Sequence, residues 1–142
     1  MESKKKTVIT VQTKVNAPAE KVWKLWTTPE NIEKWNSASD DWCTPHAEND
    51  LRTGGSFNYR MEAKDGSTGF DFGGVYNKVN PDKLIECTLG DGRKLIINFE
   101  AIGNETKVVE SFEAESENSV ELQRNGWQAI LDNFKRYAEV YH

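Results

Sequence analysis

A chain of 142 residues suits one folded domain and is long enough to bury a real core. Its 37% hydrophobic, 11% aromatic and 29% charged residues belong to a globular chain rather than a disordered one, and five tryptophans exceed what a minimal core needs. The net charge is −5, with Lys and Arg scattered among Asp and Glu, so there is no basic stripe of the kind a nucleic-acid partner requires.

Residues 7–15, TVITVQTKV, alternate Ile9, Val11 and Val15 against Thr10, Gln12 and Lys14, the period of a half-buried strand. The strand ends at NAPAEKVWKLW, where Pro18 suits the first turn of a helix and Glu20 favours its positive N-terminal end. Val22 and Trp26 then share a helical face. TPENIEKW repeats the device, with Thr28 as N-cap, Pro29 at the first helical position, and Ile32 and Trp35 on one side. A polar loop, NSASDD, follows, and Trp42 stands after it in a segment without regular period.

From residue 55 to 113 the period is two almost throughout, broken at KDGS, NPDK, GDG and GNE. The strands predicted are 56–63, 69–79, 84–89, 93–102 and 106–114, an antiparallel meander. Phe57, Tyr59 and Met61, then Phe70, Phe72 and Tyr76, then Leu95, Ile97 and Phe99 form its apolar face. Gly73 and Gly74 interrupt the second strand and predict a bulge or sharp bend. The last element runs from about Ser119 to Tyr141, with Asn118 and Glu121 placed as a capping box. Val120, Trp127, Leu131, Phe134 and Ala138 make one apolar stripe along it. A long helix with such a stripe needs a broad apolar surface, and the concave face of the sheet is the one available. The fold class predicted is α+β, a curved antiparallel sheet of six or more strands wrapped around a C-terminal helix, in a single domain spanning residues 1–142.

This order of elements, with VNAPAEKVWKLWTTPENIEKW, GGSFNYRM, GGVYNKVNPDKLIECTL, INFEAIGNETKVVESF and NGWQAILDNFKRY, resembles the START-like (SRPBCC) superfamily and its helix-grip fold. More narrowly it resembles the bacterial homologues of the activator of heat-shock protein 90 ATPase. The resemblance extends over about residues 7–141. It implies a fold rather than an activity, since the superfamily includes lipid carriers, hormone receptors, polyketide cyclases and co-chaperone domains. It also bears on Gly126, which costs ~1 kcal/mol relative to alanine inside a helix. In a helix grip the missing side chain would let another backbone approach, with Trp127 filling or walling the interior beside it.

The predicted site is a hydrophobic space between the last helix and the sheet. Trp127, Leu131 and Phe134 face Phe57, Tyr59, Phe72, Tyr76, Ile97 and Phe99 across it, with Trp35 and Trp42 near its mouth. Period alone leaves open whether that space is a cavity or a filled core. The partner expected is a small apolar or amphipathic molecule, with a tyrosine or carboxylate setting its orientation.

Other chemistry finds thinner support. Only His46 and His142 are present, the latter terminal, and His46 with Cys43, Glu48 and Asp50 lacks the spacing of a metal site or of a nucleophile and base. No catalytic residue, metal or cofactor is predicted. A cyclase would need a few inward polar groups; Tyr59 faces inward and Arg60 and Asp71 outward, while Glu110 shares parity with Val108 and Phe112 but reads first as an exposed carboxylate on a twisted edge. An interaction surface for a chaperone would have to use the sheet's loops or its charged convex face, with Asn58, Arg60, Glu62, Lys94, Asn98 and Glu100, which reads as a solvated face. Cys43 and Cys87 have no CxxC pairing and read as free thiols. Positive charge at residues 1–11 leads into no apolar stretch, and no run of about 18 apolar residues occurs, so the expectation is a cytoplasmic protein without a membrane span.

Overall fold

The computed structural model describes residues 7–140; Tyr141, the expected helix end, lies outside them, as do His142 and residues 1–6. The order of elements is β1 (Val8–Val15), α1 (Ala19–Thr27), α2 (Pro29–Trp35), β2 (Trp42–Asn49), β3 (Ser56–Ala63), β4 (Gly69–Asn80), β5 (Leu84–Leu89), β6 (Lys94–Ile102), β7 (Glu105–Glu113) and α3 (Val120–Val140). The strands form one antiparallel sheet in the order β1-β7-β6-β5-β4-β3-β2, so the first strand closes the meander by pairing with the last. The sheet curls into a half-barrel around α3, the helix-grip arrangement.

The sheet has a strand that the sequence pattern conceals. β2 contains Pro45, and its buried positions, Thr44 and Ala47, are three apart because a bulge lies between Cys43 and His46. A proline cannot donate to a ladder, so it is tolerated on an edge strand and erases the alternation that would reveal one. In β4 the irregularity falls between Tyr76 and Lys78 rather than at the glycine pair. The extra residue, Asn77, turns Val79 toward the face that Tyr76 occupies, opposite Ile85. Gly73 and Gly74 serve close approach instead: a Cβ would lie 2.4 Å from the Phe57 carbonyl oxygen at the first and 2.3 Å from that of Thr88 at the second. The hairpin turns each hold one left-handed residue, Gly66, Asp82, Gly92 and Gly103, at the four sequence breaks.

Local caps differ in detail from expectation. Pro18 is the residue before α1 rather than within its first turn. Thr28 does precede α2, but its hydroxyl donates back to the Lys24 carbonyl at the end of α1 and caps nothing in α2. At α3 the cap is Ser119, whose Oγ accepts from the Leu122 amide, while Asn118 is bonded to Glu115. Val120 is exposed, and the inward face begins at Gln123, whose amide ties down the loop before it through Glu115, Asn118 and Ser119.

Helix side chains occupy both edges of the sheet. On β2 the Ala47 amide donates to Glu33 of α2. On β1 the carbonyls of Gln12 and Lys14 accept from Gln128 and Lys135 of α3, and Glu139 accepts from the Asn16 amide just beyond the strand.

The space inside the half-barrel divides along α3. Under its C-terminal half, α1 and α2 insert their tryptophans: Trp26 meets Trp35 and Phe134 at ring-centroid distances of 4.8 Å each, and Trp23 and Trp26 meet Phe99 edge-on at 5.3 and 5.7 Å. Leu131, Phe134 and Ala138 are fully buried in this packed region. The N-terminal half of α3 roofs a different region.

Candidate functional site

Beneath Gln123, Trp127 and Ile130 of α3 lies a cavity of about 270 Å³. Its floor is laid by the alternating inward residues of five strands: Phe57, Tyr59 and Met61 of β3; Phe70, Phe72 and Tyr76 of β4; Ile85 and Cys87 of β5; Leu95 and Ile97 of β6; Glu110 of β7. Trp26 and Trp35 close the side where the packed core begins, and Asn36, Arg93, Glu115 and Asn118 complete the lining. Asn118 and Phe70 are the exposed members.

The aromatic residues form a connected wall. Phe57 lies 5.3 Å from Tyr59, 5.2 Å from Tyr76 and 6.0 Å from Phe72, centroid to centroid. Phe72 meets Trp127 edge-on at 5.8 Å, and Trp127 stacks on Phe112 behind it. Aromatic pairs prefer such tilted or offset geometry, which fixes the rings without filling the space between them.

Of the residues expected at the site, Trp35, Phe57, Tyr59, Phe72, Tyr76, Ile97 and Trp127 line this cavity. Phe99, Leu131 and Phe134 belong to the packed core instead, because α1 and α2 stand between them and the open space. Trp42 stands one ring further out, 5.9 Å from Phe70, and is not part of the lining. Gly126 is not a point of close approach: a Cβ there would meet nothing within 4 Å.

Polar groups enter the cavity at few points. Glu110 points inward, paired in register with Ile97 on one side and Val11 on the other, and is 5% exposed. The other buried polar residues have partners: Asn31 accepts from Tyr137, Asn36 and Thr44 bond each other, Thr106 donates to the Ala17 carbonyl, and Gln123 holds its loop. Glu110 has no hydrogen-bond partner among the described residues, and burial alone pushes its carboxyl up to about 8. Its parity with Val108 and Phe112 was the signal that marked it.

Around Glu110 stand groups that stay neutral. Burial raises the Tyr59 phenol well above the usual range, with the neighbouring Tyr76, Cys87 and Glu110 adding to it. Burial also raises Tyr76, whose hydroxyl donates to Asn49, and pushes the Cys87 thiol up to about 12, with Glu110 contributing. The one cationic member, Arg93, is engaged with Asp91 and the Glu113 carbonyl. Among the described residues no group of three His, Cys, Asp or Glu side chains is placed to hold a metal ion. The Cys43 and His46 segment lies on edge strand β2, and no residue of it lines the cavity.

The profile of the family described as "Activator of Hsp90 ATPase homolog 1-like protein" matches residues 16–139. The chain belongs to that family. An AHSA1-like protein from Aeromonas hydrophila is 39% identical and superposes with a TM-score of 0.87, covering 96% of this chain and 98% of its own. A protein from Cytophaga hutchinsonii is 55% identical, with a TM-score of 0.81 and coverage of 92% and 91%. A Chromobacterium violaceum protein, at 21% identity, shares the fold with a TM-score of 0.84 over 94% of this chain and 98% of its own. No curated protein matches the sequence. Among the described residues of this AHSA1-like chain no helix is long and apolar enough to cross a membrane.

Proposed function

We propose that the chain binds a small apolar or amphipathic molecule in the cavity between α3 and the sheet. The observation that carries this is the cavity itself: about 270 Å³ of space, walled by rings and aliphatic side chains, in a domain whose other half is densely packed. Apolar ligand surface removed from water contributes roughly 25 cal/mol per Å² before the entropic cost of association. The proposed contacts are Trp35, Phe57, Tyr59, Phe72, Tyr76, Ile97 and Trp127, with Glu110 as the polar anchor. Burial of this kind requires no metal or cofactor.

Native mass spectrometry of freshly purified protein, followed by amide-shift titration with lipids and small aromatic compounds, tests the reading. A co-purified mass, or saturable shifts at Trp127 and Phe72, supports it. An empty spectrum with unmoved amides counts against it and turns attention to the outer face.

The inward carboxyl favours a second reading, proton-moving catalysis of the polyketide cyclase kind, which turnover of a bound polyketide lost in Glu110→Gln would support. The family description suggests a third, action on an Hsp90-type ATPase, and a change in that ATPase rate on adding the purified chain is its test.

A further inference from the structure

We infer that the cavity selects molecules bearing a protonated amine, with the Glu110 carboxylate as counter-charge and the rings of Phe57, Tyr59, Phe72 and Trp127 around the cation. This rests on the cavity being a ligand site and names the class of ligand.

Three independent observations point the same way. Glu110, 5% exposed and without a hydrogen-bond partner among the described residues, lines the cavity, and each neighbour in register is aliphatic. An ionised carboxylate in such a place needs a cation or strong donors, and among the described residues none is bonded to it: Arg93 is held by Asp91 and Gln123 by its loop. Beside it Phe57, Tyr59, Phe72 and Tyr76 form a connected aromatic wall, centroids 5.2–6.3 Å apart, and the negative face of an aromatic ring attracts an ammonium group. No lysine or histidine lines the cavity to repel a cationic ligand, and Arg93 already has its own partners. An anionic head at the same place would be repelled by Glu110 once ionised.

The volume sets the size. At about 270 Å³ the cavity exceeds the roughly 150 Å³ that accommodates benzene in an apolar protein cavity, which leaves room for an aromatic ring with a short alkyl arm. The proton balance follows from the groups facing Glu110. These are Tyr59 from β3 and Cys87 from β5, both neutral near pH 7, with Tyr76 of β4 beside those two, while β1 and β6 offer only Val11 and Ile97 in register. Arg93 and Glu115 are the charged residues elsewhere in the lining, and α1, α2 and α3 contribute no charge to it. With its carboxyl titrating near 8, free Glu110 is mostly protonated at pH 7. Capture of an ammonium ion therefore releases about one proton, and affinity rises up to about tenfold per pH unit below pH 8.

The test is a titration of the full chain with phenylbutylamine, phenylbutanol and phenylbutyrate, followed by amide shifts and by calorimetry in two buffers of different ionisation enthalpy. The amine should bind at least about tenfold more tightly than the alcohol or the acid at pH 8, with release of about one proton at pH 7. In Glu110→Gln, whose native-like amide spectrum serves as the folding control, the preference for amine over alcohol should vanish along with proton release. Equal affinity for amine and alcohol, or a preference that survives in Glu110→Gln, overturns the inference while leaving the cavity as a ligand site. Failure of all three compounds to move the Trp127 resonances overturns both.

Discussion

The indole of Trp127 lies flat on the ring of Phe112, with centroids 3.9 Å apart and planes 17° from parallel. This stack joins α3 to β7 at the border between the cavity and the sheet, and the other edge of Trp127 meets Phe72. Trp127→Ala should cost about 3 kcal/mol in urea-induced unfolding, through lost ring contacts and an enlarged cavity that the fixed strands cannot collapse into. A loss well under 1 kcal/mol would show that the helix does not depend on the stack.

Two glycines should respond in opposite directions to the same change. Gly126 has room for a Cβ and does not adopt a left-handed φ, so Gly126→Ala should stabilise by about 0.5–1 kcal/mol through helix propensity. In Gly74→Ala the new atom would stand 2.3 Å from a strand carbonyl, and the strands must part, a loss of roughly 3 kcal/mol. Thermal melts of the two variants beside the parent decide both.

Stability should depend on pH through Glu110. Its ordinary value of about 4.5 applies in the unfolded chain and about 8 in the folded one, so the folded state holds the proton more tightly. The contribution is whole below pH 4.5 and is lost as pH rises through 8, at roughly 1.4 kcal/mol per unit within that window. Denaturant unfolding from pH 5 to 9 should show the parent falling relative to Glu110→Gln. A constant difference between the two across that range would contradict the buried, unpaired carboxyl.

The two thiols should be separable by reactivity. Cys87 is buried with its thiol pushed up to about 12, while Cys43 is half-buried on an edge strand. A chromogenic disulfide reagent should label Cys43 first, with Cys87 reacting only as the protein opens. Because Cys87 lines the cavity, a bound molecule should slow that second phase further.

Much of this fold is legible in the residues, since period two marks each meander strand and the turn residues mark each break. β2 escapes because Pro45 and a bulge remove its period. The site is legible only in part, for a definite reason. Strand and helix periods tell which way Phe99 and Phe134 point but not what stands opposite, and the insertion of α1 under one half of α3 is a tertiary event. Glu110 illustrates the same limit from the other side: parity allows an inward or an edge position, and only the packed structure shows it buried, inward and without a partner among the described residues. At Gly126 the residue suggested a close neighbour, and the structure shows open space.

The half-barrel is an open sheet, and open sheets can grow by adding a strand from another chain. Here Glu33 claims an amide on the β2 edge, and Gln128 and Lys135 claim carbonyls on the β1 edge, where an incoming strand would need to bond. The helices that shape the interior thus also blunt the sheet's capacity to polymerise. Loss of those side chains would leave these edge groups open to pairing with another strand.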